Sequence, residues 1–501
     1  MKIRINFDNT MIKIGDGKVR SSPNRKAPGE PAYFEMNLNF LYNIFKFFPL
    51  PAVSDNRSKY AYLNAQTYED AAGIPRLLPA SGHDMYNYVA RYGAANFQIQ
   101  AVMKLDGRLD PEKLKKAVRL SLDVEPIFGC RFVENDPPYW QRLEYLDQIE
   151  FCSFEKTNNL NNSVYAFLDS PFSMDNDTKI KLRLISDDSY DTLCLKINHT
   201  CCDATGTKEY LQLLSDIYTA IDQTGEYVPK PNVRNRRDQD RLFENLGIKD
   251  PESAWIPDME IPEVLWKFPW KQGLPVNMRT IVCKFPQGHL DVLSSYGKAR
   301  GASINDLLLT ALYRAMFEFS QPEYNIPMHI GTTVDLRRYL PDNKTQAIRN
   351  FSGGIDTQIA RLPNESFDGT LSRIVPMMDE VKNGRPGLLS AVGLERVEKS
   401  DFYGTMTYYR DAGKNLTYTN EFSPVLSNMS YISKSPFRFG KATVTDAYIV
   451  PPALSAPGLL LCVSTYNGIL TITACYYETQ ANRQDMEEFI DMIKQELLEL
   501  Q

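Results

Sequence analysis

The chain has 501 residues, of which 43% are hydrophobic and 24% are charged, which is the usage of a folded globular protein and excludes a disordered, fibrous or membrane-bundle class. Its formal net charge of -6, without a basic stripe, argues against a nucleic-acid partner. Eight dispersed cysteines without a CxxC pair and an amino terminus without signal-peptide features predict a cytoplasmic protein with reduced thiols.

The order of segments along the chain, together with its length, predicts two domains and an amino-terminal arm. Residues 1–75 form the polar arm, and an amphipathic helix is predicted within it over 34–48. We expect this helix to pack on the protein's own body, with contact to a membrane surface or a lid over a substrate channel as alternatives. Residues 76–223 are predicted to form a first α/β lobe, 224–275 a crossover linker whose charges are solvated, and 276–501 a second lobe.

Strands and helices alternate in both predicted lobes. Asp110 is expected to cap a helix that begins at Pro111, and Ser303 a helix with Asp306 at its third position. A further helix begins at Ala204. Strands are predicted near 96–105, 127–132, 179–186, 191–199, 278–285, 326–335, 354–360, 423–432, 442–449, 457–465 and 468–477, and other helices near 289–300 and from 481.

Histidine occurs at only four positions, which narrows the search for chemistry. His199 ends a predicted strand in the turn NHTCCDATG, and Asp203 lies four residues further on. Turns between strands and helices commonly carry chemistry, and a neutral imidazole can take a proton from a hydroxyl, an amine or a thiol near neutral pH. The HxxxD spacing by itself leaves a structural histidine as the alternative.

The turn and its surroundings resemble the chloramphenicol acetyltransferase-like superfamily, which includes condensation domains and alcohol acetyltransferases. NHTCCDATG is similar to the HHxxxDG signature of that superfamily, with Asn198 at the first histidine position and Ala204 at the glycine position. The order of family segments continues in GASINDLLLTALYRAM, in GTTVDLRRYLP with RNFSGG, and in SPVLSNMS with PFRFGKA. The resemblance covers residues 79–500. It implies an α/β fold with two lobes of mixed sheets and flanking helices, and an active-site channel between them.

The same resemblance implies an acyltransferase. Such an enzyme moves an acyl group from a thioester, either acyl coenzyme A or a carrier protein supplied in trans, to the hydroxyl or amine of a small molecule. His199 is then the general base, and Asp203 orders the turn by pairing with Arg337 or, as the alternative, with Arg338. No covalent intermediate, permanently bound cofactor or metal is expected.

The resemblance also assigns supporting residues. Asn198 takes the structural position of the first motif histidine. Ser427 and Asn428, in the turn of residues 427–430, are the candidate donors to the oxyanion of the tetrahedral intermediate, which needs a donor about 3 Å away.

Of three rival interpretations, two remain open at this level. Cys201 or Cys202, beside the base, is a nucleophile in a cysteine-hydrolase interpretation, which requires a lowered thiol pKa. The stretch from Ser81 to His83 is interpreted as a helix start instead of a catalytic dyad. A catalytically idle relative that binds carrier proteins or small molecules is the alternative from another functional class.

Overall fold

The computed structural model describes most of the chain beyond the amino-terminal arm, namely residues 73–172, 178–233, 237–254, 266–419 and 423–501. The helix predicted over 34–48 lies outside the described residues.

Strands and helices of the described residues are numbered here in chain order. The strands are β1 Leu77–Pro79, β2 Ala95–Asn96, β3 Gln98–Leu105, β4 Cys130–Val133, β5 Tyr139–Arg142, β6 Cys152–Lys156, β7 Ile180–Ser186, β8 Asp191–Asn198, β9 Met278–Lys284, β10 Pro327–Asp335, β11 Ser352–Ala360, β12 Val425–Tyr431, β13 Arg438–Phe439, β14 Ala442–Val450, β15 Ala453–Leu454, β16 Leu460–Tyr466 and β17 Ile469–Tyr477. The helices are α1 Gly82–Val89, α2 Arg91–Ala94, α3 Pro111–Val124, α4 Leu160–Asp169, α5 Ala204–Thr224, α6 Asp240–Asn245, α7 His289–Ala299, α8 Ile304–Ser320, α9 Phe367–Asn383, α10 Leu388–Lys399, α11 Phe402–Thr419 and α12 Arg483–Leu498.

Helix starts follow the capping residues that the sequence contains. The Asp110 carboxylate accepts hydrogen bonds from two backbone N–H groups of the first turn of α3. Ser303 and Asp306 form a reciprocal capping box at α8, as predicted. Ser81 and Asp84 form another at α1, which confirms that this stretch is a helix start.

Two six-stranded mixed sheets form the frame of the part of the chain that the structure describes. The strand order is β13-β14-β3-β8-β7-β6 in the first sheet and β11-β10-β12-β16-β17-β9 in the second. The first sheet contains one parallel pair, β6–β7, and the second contains two, β10–β12 and β12–β16. Flanking helices cover the sheets, so the predicted α/β class with two mixed-sheet lobes is confirmed.

Among the described residues, two strand pairings join the two halves of the sequence, β14 with β3 and β15 with β2. Strand β14 belongs to the second half of the sequence but pairs antiparallel with β3 of the first half, with Val450 opposite Gln100. The second predicted lobe, 276–501, therefore supplies strands to both sheets, which the sequence analysis did not anticipate. The domain limits themselves stay a prediction.

Apolar packing joins the two sheets to each other. A cluster of buried side chains brings Val102 of β3 and Tyr448 of β14 together with Met278 of β9 and Tyr477 of β17. Of two larger clusters, one lies against the second sheet, and the other lies against the first sheet and also includes Cys462 and Tyr466 of β16. In the part of the chain described here, no helix is both long and apolar enough to cross a membrane.

Candidate active site

His199 lies immediately after β8, where the first sheet ends and the chain turns toward α5. Its backbone N–H donates to the carbonyl of Phe97 at 2.9 Å, and its ring packs against the Phe97 ring with centroids 5.5 Å apart. The side chain is half-buried. The sheet therefore holds the backbone of the turn, while the ring faces a segment from the second half of the chain.

That segment contributes Asn350, whose amide fixes the histidine. The Asn350 Nδ2 donates to the carbonyl oxygens of His199 and Thr200 at 2.8 and 3.0 Å. Its Oδ1 therefore faces the ring and lies 3.0 Å from His199 Nδ1. An amide oxygen can only accept, so Nδ1 carries the hydrogen and Nε2 keeps its lone pair.

The protonation state of His199 follows from its surroundings. Burial lowers the pKa of the imidazole below its ordinary value, because a desolvated ring disfavours the charged form. The ring is consequently neutral near pH 7. A neutral ring with a defined Nδ1–H can act as a proton acceptor at Nε2.

Asp203 anchors the far end of the turn. It is the N-cap of α5, and its Oδ1 accepts from the Gly206 N–H at 2.8 Å. Arg337 donates to both carboxylate oxygens, at 2.9 and 3.2 Å. The Phe351 N–H and the Ser352 hydroxyl each donate to Oδ2 at 2.7 Å. Every lone pair of this buried carboxylate thus has a donor, as a buried charge requires.

The charges of this pair are complementary. Burial by itself would raise the pKa of Asp203, but the Arg337 guanidinium and the hydrogen bonds hold it well below the usual range of a carboxyl. Arg337 is only 2% exposed, whereas Arg338 is exposed and lies over the Tyr339 ring. Arg337 is therefore the partner of Asp203, and Arg338 is not.

The departures from the family signature are accommodated locally. The Asn198 Oδ1 accepts from the Thr200 N–H at 3.0 Å, which supports the turn. Ala204 is the first residue of α5. The position in this turn that has no room for a side chain is instead Gly206, where an added Cβ would lie 2.6 Å from the Cys202 Cβ.

Both cysteines of the turn are fully buried. Burial raises the pKa of the Cys201 thiol and of the Cys202 thiol far above the ordinary thiol value. A nucleophilic cysteine needs the opposite shift, toward the thiolate. The geometry therefore gives no support to the cysteine-hydrolase interpretation.

A linker arginine contradicts the expectation that the charges of residues 224–275 are only solvated. Arg237 forms an ion pair with Asp84 of α1 at 2.7 Å. It also donates to the carbonyls of Cys201 and Ile348, at 2.9 and 2.7 Å. The expectation of a merely solvated charge was therefore wrong for Arg237. One guanidinium has enough N–H donors to bridge a buried carboxylate and two loop carbonyls.

The candidate oxyanion donors lie on β12. The Ser427 hydroxyl is 3.0 Å from the Thr333 hydroxyl, and the Asn428 Oδ1 accepts from the Ser430 N–H at 2.9 Å. Lys208 of α5 donates to the Met429 carbonyl at 2.9 Å, which ties this strand to the helix that Asp203 caps. Among the described residues, no hydrogen bond joins Ser427 or Asn428 to His199.

The structure thus brings His199, Asp203 and Arg337 into one assembly and adds two residues to it. Asn350 and Arg237 had no assigned role in the sequence analysis. Asn350 stands in the quoted segment RNFSGG, two residues before the start of β11, and this position was the available signal. Arg237 offered none beyond its place in a charged run.

Residues 92–338 match the Condensation domain family. No curated protein matches the sequence.

Solved structures share the fold over nearly their full lengths. Trichothecene 15-O-acetyltransferase TRI3 from Fusarium sporotrichioides is 13% identical with a TM-score of 0.63, over 86% of this chain and 96% of that chain. Polyketide synthase associated protein 5 from Mycobacterium tuberculosis is 18% identical with a TM-score of 0.56, over 84% and 97%. A variant of the starter condensation domain of rhizomide synthetase, in complex with C8-CoA, is 14% identical with a TM-score of 0.58, over 88% and 98%.

Proposed function

Because residues 92–338 match the condensation-domain family and the chain has the two-lobed fold of that superfamily, we propose that it is an acyltransferase. It moves an acyl group from a thioester of coenzyme A or of a carrier protein to the hydroxyl, or the amine, of a small molecule. The observation that carries this proposal is the hydrogen bond between His199 Nδ1 and Asn350, which leaves Nε2 as a proton acceptor.

The proposed reaction is a direct transfer in a ternary complex. His199 Nε2 takes the acceptor's proton as the acceptor oxygen or nitrogen attacks the thioester carbonyl carbon. The new bond forms, the carbon–sulfur bond breaks, and the imidazolium returns the proton to the departing thiolate. The buried thiols of Cys201 and Cys202 take no part, so no acyl-enzyme forms.

Asp203 and Arg337 keep the base in place without exchanging protons. Their bidentate pair joins the start of α5 to the segment that contains Asn350, so the ring and its amide partner move together. A base held in this way needs little reorganisation when the substrates bind.

The oxyanion is stabilised from β12 in this proposal. The Asn428 Oδ1 already accepts from the Ser430 N–H, which leaves the amide N–H₂ as a donor. The Ser427 hydroxyl is the second candidate. Lys208 fixes the carbonyl of the next residue, Met429, and so limits the movement of this strand end.

The donor class is supported by the similar proteins. One similar condensation domain is in complex with C8-CoA, and another similar protein is named as an O-acetyltransferase. A thioester whose arm reaches the junction of the two sheets, opposite the acceptor, fits the position of His199 between them.

The test is a product screen. The purified full-length chain is incubated with acyl coenzyme A or acyl carrier protein donors of graded chain length, together with pools of alcohols and amines. Mass spectrometry then measures the masses of the products and of the intact protein. We expect an ester or amide from at least one pair, without an acylated form of the protein. An acyl-cysteine would contradict direct transfer, and the absence of any product from pairs that bind would favour the idle relative.

A further inference from the structure

An arginine of the crossover linker lies where the histidine turn meets the segment that carries Asn350. The Arg237 side chain is only 10% exposed. Its Nη2 donates to the Cys201 carbonyl at 2.9 Å, and its Nη1 donates to the Ile348 carbonyl at 2.7 Å. One guanidinium therefore bridges the two loops directly, in addition to the contact that the His199 and Asn350 side chains make.

The two bridged carbonyls have matched positions relative to the base and its partner. Cys201 lies two residues after His199 in the sequence. Ile348 lies two residues before Asn350. The Asn350 amide donates to the carbonyls of the first two residues of the turn, at 2.8 and 3.0 Å, and the carbonyl of the third accepts from the linker guanidinium. The turn is therefore fixed at its near end by the amide and at its far end by the guanidinium.

Asp84 of α1 holds the guanidinium in this position. Its Oδ1 accepts from Arg237 Nη2 at 2.7 Å, and its Oδ2 accepts from Nε at 3.2 Å. Asp84 is fully buried and is itself fixed, because Oδ2 also accepts from the Ser81 backbone N–H and from the Trp140 indole, each at 3.1 Å. A guanidinium paired in this bidentate way has a defined orientation, because its donors lie in one plane. The orientation of Arg237 is therefore set from α1.

We propose that Arg237 is a positioning residue for the general base, and this proposal rests on the proposed function of His199. The Nδ1–H tautomer requires the Asn350 oxygen at hydrogen-bond distance, which is 3.0 Å here. That distance depends on the spacing of the two loops, which the guanidinium bridges. Removal of the guanidinium lets the loops move apart, so the acceptor leaves Nδ1 and the hydrogen is no longer kept on that nitrogen. The crossover linker thus contributes to setting the tautomer of the base.

The tautomer is measured without any substrate, so this test is independent of transferase activity. NMR of the full-length chain labelled with ¹⁵N-histidine shows which ring nitrogen carries the hydrogen. His199→Ala identifies the signals of this residue among the four histidines. We expect the Nδ1–H form in the wild type near pH 7 and its loss in Asn350→Leu, which removes the acceptor itself.

Two variants remove the bridge without leaving a buried charge unpaired. Arg237→Lys keeps a cation beside Asp84, but a compact ammonium cannot span the carboxylate and both carbonyls as the planar guanidinium does. The double variant Asp84→Asn/Arg237→Met removes both charges of the pair. The Nε2–H form of His199 should appear in both variants. Arg241→Met, which changes an exposed arginine of the same linker, should keep the wild-type tautomer.

Steady-state kinetics supply a second measurement once a substrate pair is known. In both bridge variants kcat should fall by at least about tenfold with a smaller change in KM, since misplacement of a catalytic group by about 1 Å can cost roughly 10²-fold. A wild-type tautomer in either variant would overturn the proposal for Arg237. A wild type that transfers no acyl group would contradict the proposed function instead, and the NMR result would still decide whether Arg237 positions the ring.

Discussion

At the scale of single residues, the proposed chemistry of His199 depends on an amide 151 positions away in the sequence. Asn350 donates to two backbone carbonyls of the histidine turn and so has only its oxygen left for the ring. The motif HxxxD identified the histidine but could not identify this partner, because the contact joins two distant segments. The tautomer of the base was therefore beyond sequence reasoning.

Replacement of Asn350 tests this assignment. Asn350→Leu removes the acceptor that keeps the hydrogen on Nδ1, so kcat should lose much of the roughly 10² to 10⁴-fold that a general base contributes, with a smaller change in KM. Steady-state kinetics of the transfer reaction measure both constants.

The matched variant is Asn350→Asp, which keeps an acceptor for Nδ1 but adds a charge. A nearby carboxylate favours the imidazolium, so the pKa of His199 should rise and the acidic limb of the pH–rate profile should move to higher pH. Wild-type kcat in Asn350→Leu, or an unmoved profile in Asn350→Asp, would exclude Asn350 as the positioning residue.

At the scale of elements, the start of α5 depends on a charge pair between the two halves of the chain. Asp203 caps the helix and Arg337 belongs to the 3₁₀ turn Leu336–Tyr339, which follows β10. Both side chains are almost completely buried, and removal of one partner leaves the other charge without compensation.

Arg337→Met should therefore lower the free energy of unfolding by about 3 to 5 kcal/mol, as expected for a broken buried pair. Denaturant unfolding of the variant near pH 7 measures the loss. Arg338→Met is the matched control, since it removes an adjacent but exposed arginine and should change stability by less than about 0.5 kcal/mol.

The pH dependence of that loss has a defined sign. The folded-state pKa of Asp203 is lowered, so the contribution of the pair is present above the ordinary carboxyl pKa of about 3.9 and is lost as the pH falls toward the folded-state value. The difference between wild type and Arg337→Met should shrink on acidification. A difference that stays constant from pH 7 to pH 3 would show that the ion pair does not stabilise the fold.

The sequence predicted some helices and strands better than others. Strong local signals, such as Asp110 before Pro111 or the Ser303–Asp306 capping box, placed their helices correctly. The helices α9 to α11 were not predicted: α9 contains Pro376, which ordinarily interrupts a helix, and α10 contains Gly393. Tertiary packing outweighs these local penalties, and a single sequence does not display it.

At the scale of the whole molecule, the two sheets are joined in ways that the order of the chain conceals. Strand β14 enters the first sheet from the second half of the sequence, and the linker residue Arg237 connects α1 to the loops around His199 and Asn350. The two-lobed α/β class could be predicted from the resemblance. The strand exchange could not, because alternating apolar residues specify a strand but not its neighbour.

This arrangement places the candidate site where the sheets meet. His199 follows β8 of the first sheet, and Asn350 lies just before β11 of the second, so the base and its positioning residue come from different sheets. The site is complete only when both halves of the chain are assembled around it.

The role of His199 as general base is tested by the single-turnover rate of acyl transfer in His199→Ala, compared with Cys202→Ala as a variant of the same turn. The first should fall by roughly 10² to 10⁴-fold with a preserved melting temperature, because only the base is removed, and the second should keep most of the wild-type rate. A His199→Ala variant that transfers the acyl group at the wild-type rate would exclude His199 as the general base.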